Sequence, residues 1–181
     1  INTEKREEIL RNCRTEDERQ RTAELIRPIL RGRDIKRYGY NWDNLWLINT
    51  HNGIKGVKPR ININEYSAVK AYLDQHWDKI SKRADKGDTP YNLRNCAYME
   101  DFYKPKIVWG NLNLSAAYSI AADGIFVNAP CPMIVPASKY LLAILNSKVA
   151  DYYIRQLGVT RNGGYFEYKP MFVENLPVPN N

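Results

Sequence analysis

Apolar side chains are sparse at the start of the chain and cluster later. Residues 3–24 contain no Gly or Pro and are rich in Glu, Arg and Lys; Ile9, Leu10, Cys13, Ala23 and the adjoining Leu25 are their apolar positions. The stretch predicts a helix opened near Thr3, with acids in its first turn. So narrow an apolar stripe cannot hold a helix in a core. Residues 1–24 are therefore expected to be a connector helix, docked in part or frayed, from a domain further upstream. The chain opens at Ile1 rather than Met, inside this charged stretch, which adds to the expectation of a longer parent protein.

From residue 25 the pattern shortens. LIRPIL, RGRDIKRYGY and NLWLINT are brief apolar runs cut by Pro28, Gly32 and Gly39, and they read as strands and turns. Residues 62–83 switch to helical spacing, with Tyr66, Val69, Tyr72 or Leu73, His76 or Trp77 and Ile80 in one stripe and Asn64 as N-cap. A loop-like tract, 84–105, precedes four short strand candidates, IVWGNLNL, YSIA, GIFVNA and MIVP. Ser138 then caps KYLLAILNSKVADYYIRQL, whose Leu141, Leu142, Leu145, Val149, Tyr152 and Tyr153 are expected to face inward, with a break near Asn146-Ser147. A Gly-Gly turn and a strand close the chain. The order predicts an α+β fold: a mixed, mostly antiparallel sheet with flanking helices, occupying 25–181 as one domain.

Charge sharpens this picture. The net charge is +7 over 181 residues. Most of the excess lies in 27–60, where Arg27, Arg31, Arg33, Lys36, Arg37, Lys55, Lys58 and Arg60 face only Asp34 and Asp43. A local positive field suits a polyanion such as DNA, although a solvated basic face has the same composition. Cys13, Cys96 and Cys131 are far apart and no Cys/His ligand spacing occurs, so a reduced cytoplasmic protein without structural zinc is expected. No apolar run has the length of a membrane span, and no signal peptide is evident.

Three blocks fall in a recognisable order. They are IRPILRGRDIKRY; TPYNLR followed by KPKIVWGNLNLSAAYSI; and YLLAILNSKVADYYI followed by TRNGGYFEYKPMFVENLPVP. Together, over roughly 25–179, they resemble the TaqI-like C-terminal specificity domain of restriction-modification enzymes, and the target-recognition halves of type I specificity subunits share this layout. The resemblance implies a double-stranded DNA recognition module with no catalytic group of its own. It also implies upstream methyltransferase or nuclease domains in the same chain. S-adenosylmethionine and Mg²⁺ would serve those domains, and no cofactor is expected here. The parent would be a type II, IIG-like enzyme methylating adenine N6, cutting DNA, or both.

The candidate contacts follow from side-chain chemistry. Arg31, Arg33, Lys36 and Arg37 put four cations into seven positions; strand alternation would place Arg31 and Arg33 on one face, with Asp34 pairing one of them and Ile35 and Tyr38 packing inward. Lys55, Lys58 and Arg60 sit in a Gly-punctuated loop that is either a phosphate contact or an exposed hairpin. Arg94 is either a buried tie or a phosphate contact, beside a core Leu93. Asn111 and Asn113 can pair with adenine edges or form a turn. Arg161 and Asn162 project from the Gly163-Gly164 turn, after a helix ending at Gly158, and Lys169 joins the contacting cations.

Catalytic constellations are thin. The adenine-methyltransferase motif is absent; Asn128-Ala129-Pro130-Cys131 lacks its aromatic residue. Glu167-Tyr168-Lys169 satisfies the E-x-K half of a nuclease metal site, with Asp151 upstream, so a small Mg²⁺-dependent nuclease remains an alternative. An RNA- or protein-interaction module is another.

Overall fold

The computed structural model describes residues 1–180. Asn2 caps α1 (Thr3–Arg11) by accepting from the Lys5 N–H, and Thr15 caps α2 (Glu16–Leu25) through the Glu18 N–H. The expected single helix over 3–24 is thus two, because Thr15 offers a better start than continuation through Asn12–Arg14. The chain then runs through β1 (Ile26–Leu30), a 3-10 turn at Gly32–Asp34, β2 (Ile35–Lys36), β3 (Gly39–Tyr40) and β4 (Trp46–Ile48). Next come α3 (Ser67–Asp74), α4 (Trp77–Ile80), β5 (Lys106–Trp109), β6 (Leu112–Asn113), β7 (Tyr118–Ala121), β8 (Phe126–Val127) and β9 (Met133–Ile134). The C-terminal part holds α5 (Lys139–Leu145), α6 (Lys148–Leu157), β10 (Thr160–Arg161), β11 (Tyr165–Glu167) and α7 (Pro170–Val173). The fold is α+β. Its ladders are antiparallel except for β1 with β8, which run parallel.

These elements gather into two compact units, one of Ile1–Pro28 with Asn44–Met99, the other of Ile29–Asp43 with Glu100 onward. In the first, Ile9, Leu25, Ile26, Ile63, Ala68 and Val69 form a core that Trp46, Ile48, Tyr72 and Leu73 flank. The first two helices are therefore docked by their few apolar residues. Buried Glu18 joins them to α3: its carboxylate accepts from the Arg14 N–H, the Ser67 hydroxyl and the Ala68 N–H. Burial raises its pKa, but these bonds prevail and hold it below the ordinary value. The helix expected over 62–83 is interrupted. Asn62, not Asn64, caps a 3-10 turn at Ile63–Glu65, and α3 begins only after Tyr66. The second half of the stripe meets no core; α4 buries no residue, and Trp77 leans on Tyr91 instead.

In the second unit β5 is central, with β7 and β9 on either side, in the register Val108↔Ser119 and Val108↔Met133. Ile107, Trp109, Tyr118, Leu145, Ile154, Tyr168 and Val173 form one core on this sheet; Leu30, Ile35, Val108 and Ala121 form another. Lys106 is fully buried, and its ammonium is caged by the carbonyls of Phe102, Lys104 and Ala122 at 2.8–3.0 Å. The break between α5 and α6 falls where Asn146 stands. Its side-chain amide is buried and grips the main chain of Tyr118 at both ends, accepting from the N–H (3.0 Å) and donating to the carbonyl (2.9 Å). Ser147 then caps α6 through the Ala150 N–H.

That restart corrects the expected inward face. Leu145 is buried and Leu141 and Leu142 pack against the core, but Val149 and Tyr152 are 79% and 68% exposed and Tyr153 lies at the surface. Ala150 and Ile154 are buried in their stead. Accordingly, Leu145→Ala should cost about 2–5 kcal/mol. Val149→Ala and Tyr152→Ala should each stay within roughly 0.5 kcal/mol of wild type. Urea titration of the three variants checks this, and a large loss at Val149 would contradict the observed face.

Candidate nucleic-acid interface

The RGRD segment does not alternate as a strand. Gly32–Asp34 forms a 3-10 turn, so Arg31 and Arg33 do not share a strand face. The cause is Asp34. Its buried carboxylate accepts from the Arg31 backbone N–H (2.8 Å), Nε (3.0 Å) and an η nitrogen (2.8 Å), while the same guanidinium reaches Asp43. Burial raises the Asp34 pKa, yet the Arg31 bonds outweigh it and hold the group below the ordinary carboxylate range. Ile35 is buried as expected, but Tyr38 is 53% exposed. Tyr38 has a φ of 65° at the tip of the β2–β3 hairpin, where its backbone N–H bonds to the Tyr118 carbonyl and its ring lies beside Arg37.

The turn leaves Gly32 against Gly110. A side chain at Gly110 would come within 3.3 Å of the Gly32 Cα, and one at Gly32 within 3.4 Å of both the Gly110 Cα and the Cys131 sulfur. Two bare backbones therefore meet here. They line a cleft of about 670 Å³ with Arg33, Lys36, Asn111, Asn113, Glu167 and Lys169. Leu112, Leu114 and Tyr165, also lining it, are 52%, 57% and 43% exposed. Asn111 is fixed through its carbonyl, which accepts from the Tyr168 N–H (2.7 Å), and its Oδ1 is buried without a hydrogen-bond partner. Asn113 pairs with Phe166 across the β6–β11 ladder and donates to the Gly110 carbonyl. Lys36 donates to the Arg33 carbonyl, and both side chains extend outward. Cys131 sits in the wall with its thiol pKa pushed up to about 11 by burial.

On one side of the cleft Glu167 holds two cations. Its Oε1 accepts from Arg161 and its Oε2 pairs with Lys169 at 2.9 Å. These partners, Lys169 foremost, keep the carboxylate below its ordinary range. Arg161 and Asn162 project from the turn, where Gly163 and Gly164 both take φ near 78°, a conformation natural only to glycine. Gly158 ends α6 as expected, although in an extended rather than left-handed conformation.

Of the residues singled out in the sequence, the structure brings Arg33, Lys36, Asn111, Asn113 and Lys169 to one place, with Arg161 joined through Glu167. Others lie elsewhere or are tied. Arg31 is held by acids, and Arg37 donates twice to the Asn146 carbonyl. In the first unit Lys55, Lys58 and Arg60 line a separate hollow of about 880 Å³, where Arg60 pairs with Asp88. Arg94 is exposed rather than a buried tie, and Leu93 is only half-buried. Leu112, Leu114 and Tyr165 were missed; their signal was apolar residues inside a polar, Gly-flanked run. Asp151, the other carboxylate of the nuclease alternative, accepts from the Tyr168 hydroxyl and the Ala116 N–H and pairs with Arg155. Both carboxylates are thus engaged by cations of the chain. Among the described residues no three His, Cys, Asp or Glu side chains gather as a metal site, and no helix is long and apolar enough to cross a membrane.

The TaqI-like C-terminal specificity domain matches residues 27–178, and the chain belongs to that family. It is 23% identical over 164 residues to the type II methyltransferase M.BstVI of Geobacillus stearothermophilus, covering 87% of this chain and 28% of the relative. It is 22% identical over 159 residues to the type II methyltransferase M.BanIII of Aneurinibacillus aneurinilyticus, covering 82% and 27%. The chain therefore spans little more than a quarter of the length of these curated relatives.

The Arg31–Asp34 pair carries a pH signature. A carboxyl depressed by folding stabilises the protein above its unfolded pKa of about 4, and this contribution fades as pH falls toward the lower folded value. Asp34→Asn should be clearly less stable than wild type at pH 7, with the gap closing below pH of about 4. Urea midpoints at pH 7, 5 and 3 read this; a gap independent of pH would show that Asp34 acts only through its shape.

Proposed function

We propose that this domain reads a short sequence in double-stranded DNA and leaves the chemistry to other parts of a larger protein. The observation that carries the reading is the second unit's cleft, where a glycine floor meets cations, two asparagines and exposed apolar side chains. Each element has a matching feature on duplex DNA. Arg33, Lys36 and Lys169 suit phosphates; Asn113 suits the N6 and N7 edge of adenine, while Asn111, whose Oδ1 is buried, would offer its Nδ2 to a base acceptor; Leu112 and Leu114 suit a thymine methyl. Lys55, Lys58, Arg60 and Arg94 of the first unit would add backbone contacts. Arg31 and Arg37 are assigned to the scaffold.

The names of the relatives support a methyltransferase as the larger protein. Its further domains would bind S-adenosylmethionine and methylate adenine N6 at the site this domain selects. Mg²⁺ would enter only if the protein also cleaves, as a IIG-like enzyme does. Helices α1 and α2 would lead from those domains, and the protein would work in the cytoplasm beside the DNA it marks.

Selection from a random duplex pool tests the reading. The chain should enrich a short motif, and its log affinity should fall with log salt at roughly 0.9 per phosphate neutralised, for about four to six phosphates. Asn113→Ala should lose about 1–3 kcal/mol on the enriched site and much less on random duplex. No enrichment, or affinity flat in salt, would refute the proposal. Turnover of DNA by the chain with Mg²⁺, abolished in Glu167→Ala, would establish the nuclease instead.

A further inference from the structure

Glu167 is arranged unlike an ordinary structural ion pair. The acid is inside and its cations are outside: the Glu167 side chain is 5% exposed, those of Arg161 and Lys169 55% and 42%. Its backbone is pinned in β11, opposite Leu112 of β6, with its N–H directed to the Val159 carbonyl. Each carboxylate oxygen takes one cation, so the separation of the two cations is set by a single carboxylate. Arg161 uses its Nε and one η nitrogen on Glu167, which leaves the other η nitrogen for a ligand. The Lys169 ammonium has protons beyond the one directed at Glu167.

We propose that Glu167 is a positioning residue for DNA discrimination: it holds Arg161 and Lys169 as a fixed, half-neutralised pair beside the cleft. The inference rests on the DNA-recognition reading above. Its physical basis is that two loose cations would accept phosphates in any register. Sequence-independent affinity comes almost wholly from such contacts. Sharing one carboxylate leaves the trio with a single net positive charge, which lowers that background. The same bonds order two long side chains before DNA arrives, so donors aimed at one geometry lose less freedom on binding. Background falls and directed contact is kept, so the ratio between a chosen site and random DNA rises.

The experiment compares the intact chain with Glu167→Gln, nearly identical in shape but uncharged, on two probes: a random-sequence duplex pool and the duplex that wild type selects from it. Affinities are measured across a salt series. Glu167→Gln should bind the random pool about 3–10-fold more tightly at low salt, with a log–log salt slope steeper by about one. Its preference for the selected duplex should fall about tenfold. Glu167→Asp keeps the charge and should keep the wild-type slope. Should Glu167→Gln not fold in a melting scan, Arg161→Gln serves: the carboxylate then cancels Lys169, and the slope should become shallower by about one. Equal weakening on both probes at the wild-type slope, or no change on either, would overturn the role of Glu167. Wild type that binds neither probe would instead overturn the DNA reading itself.

Discussion

The second unit depends on one buried amide. Asn146 stands where a helix of regular spacing should continue, and it leaves the helix to bond both the N–H and the carbonyl of Tyr118. A side-chain amide is the group that can mimic a strand neighbour in this way, one donor and one acceptor at the correct separation. Its own carbonyl accepts from Arg37, so one residue fixes a helix end, the edge of β7 and the β2–β3 hairpin. Removing the amide strands the buried Tyr118 N–H, at about 1–3 kcal/mol, and leaves the Tyr118 carbonyl with the Tyr38 N–H alone.

The same residue shows what the sequence could disclose. The break at Asn146-Ser147, the Ser138 cap and the strands at IVW, YSIA and FV were all legible, because turn chemistry and apolar runs are local properties. The face of α6 was not. Counting through the break carries Leu145 on to Val149 and Tyr152, whereas Ser147 restarts the helix and turns Ala150 and Ile154 inward. The first helices are a related case. Their few apolar residues predict docking only in part, and Glu18 adds what periodicity does not register, bonds to Arg14, Ser67 and Ala68. Periodicity is blind to a buried carboxylate that does the work of a hydrophobic stripe.

Charge was legible by place and not by availability. The basic segment 27–60 appeared as one field, yet its cations have different fates. Arg31 is consumed by Asp34 and Asp43, Arg37 by a backbone carbonyl and Arg60 in part by Asp88. Arg33 and Lys36 turn to the cleft, where they meet Asn111, Asn113 and Lys169 from distant parts of the chain. A formal charge count cannot separate these cases, because partners such as Asp88 and Asn146 lie dozens of residues away in sequence. Grouping of the five cleft residues required the fold; their chemical types did not.

The division between tied and outward side chains bears on how such a site can change. The cleft floor is backbone, with Gly32 and Gly110 too close for either to gain a side chain freely. Asn146, Asp34 and caged Lys106 satisfy themselves within the interior and make no demand on the rim. Arg33, Leu112, Leu114 and Tyr165 are largely solvated. Substitution there changes the lining of the cleft at little expense in stability, since exposed changes rarely exceed about half a kilocalorie. Asn113 is the intermediate case, because it also closes the turn by donating to the Gly110 carbonyl. On the proposed reading the rim can acquire new preferences while the amide, the acid and the two glycines stay in place, a constant frame around replaceable contacts.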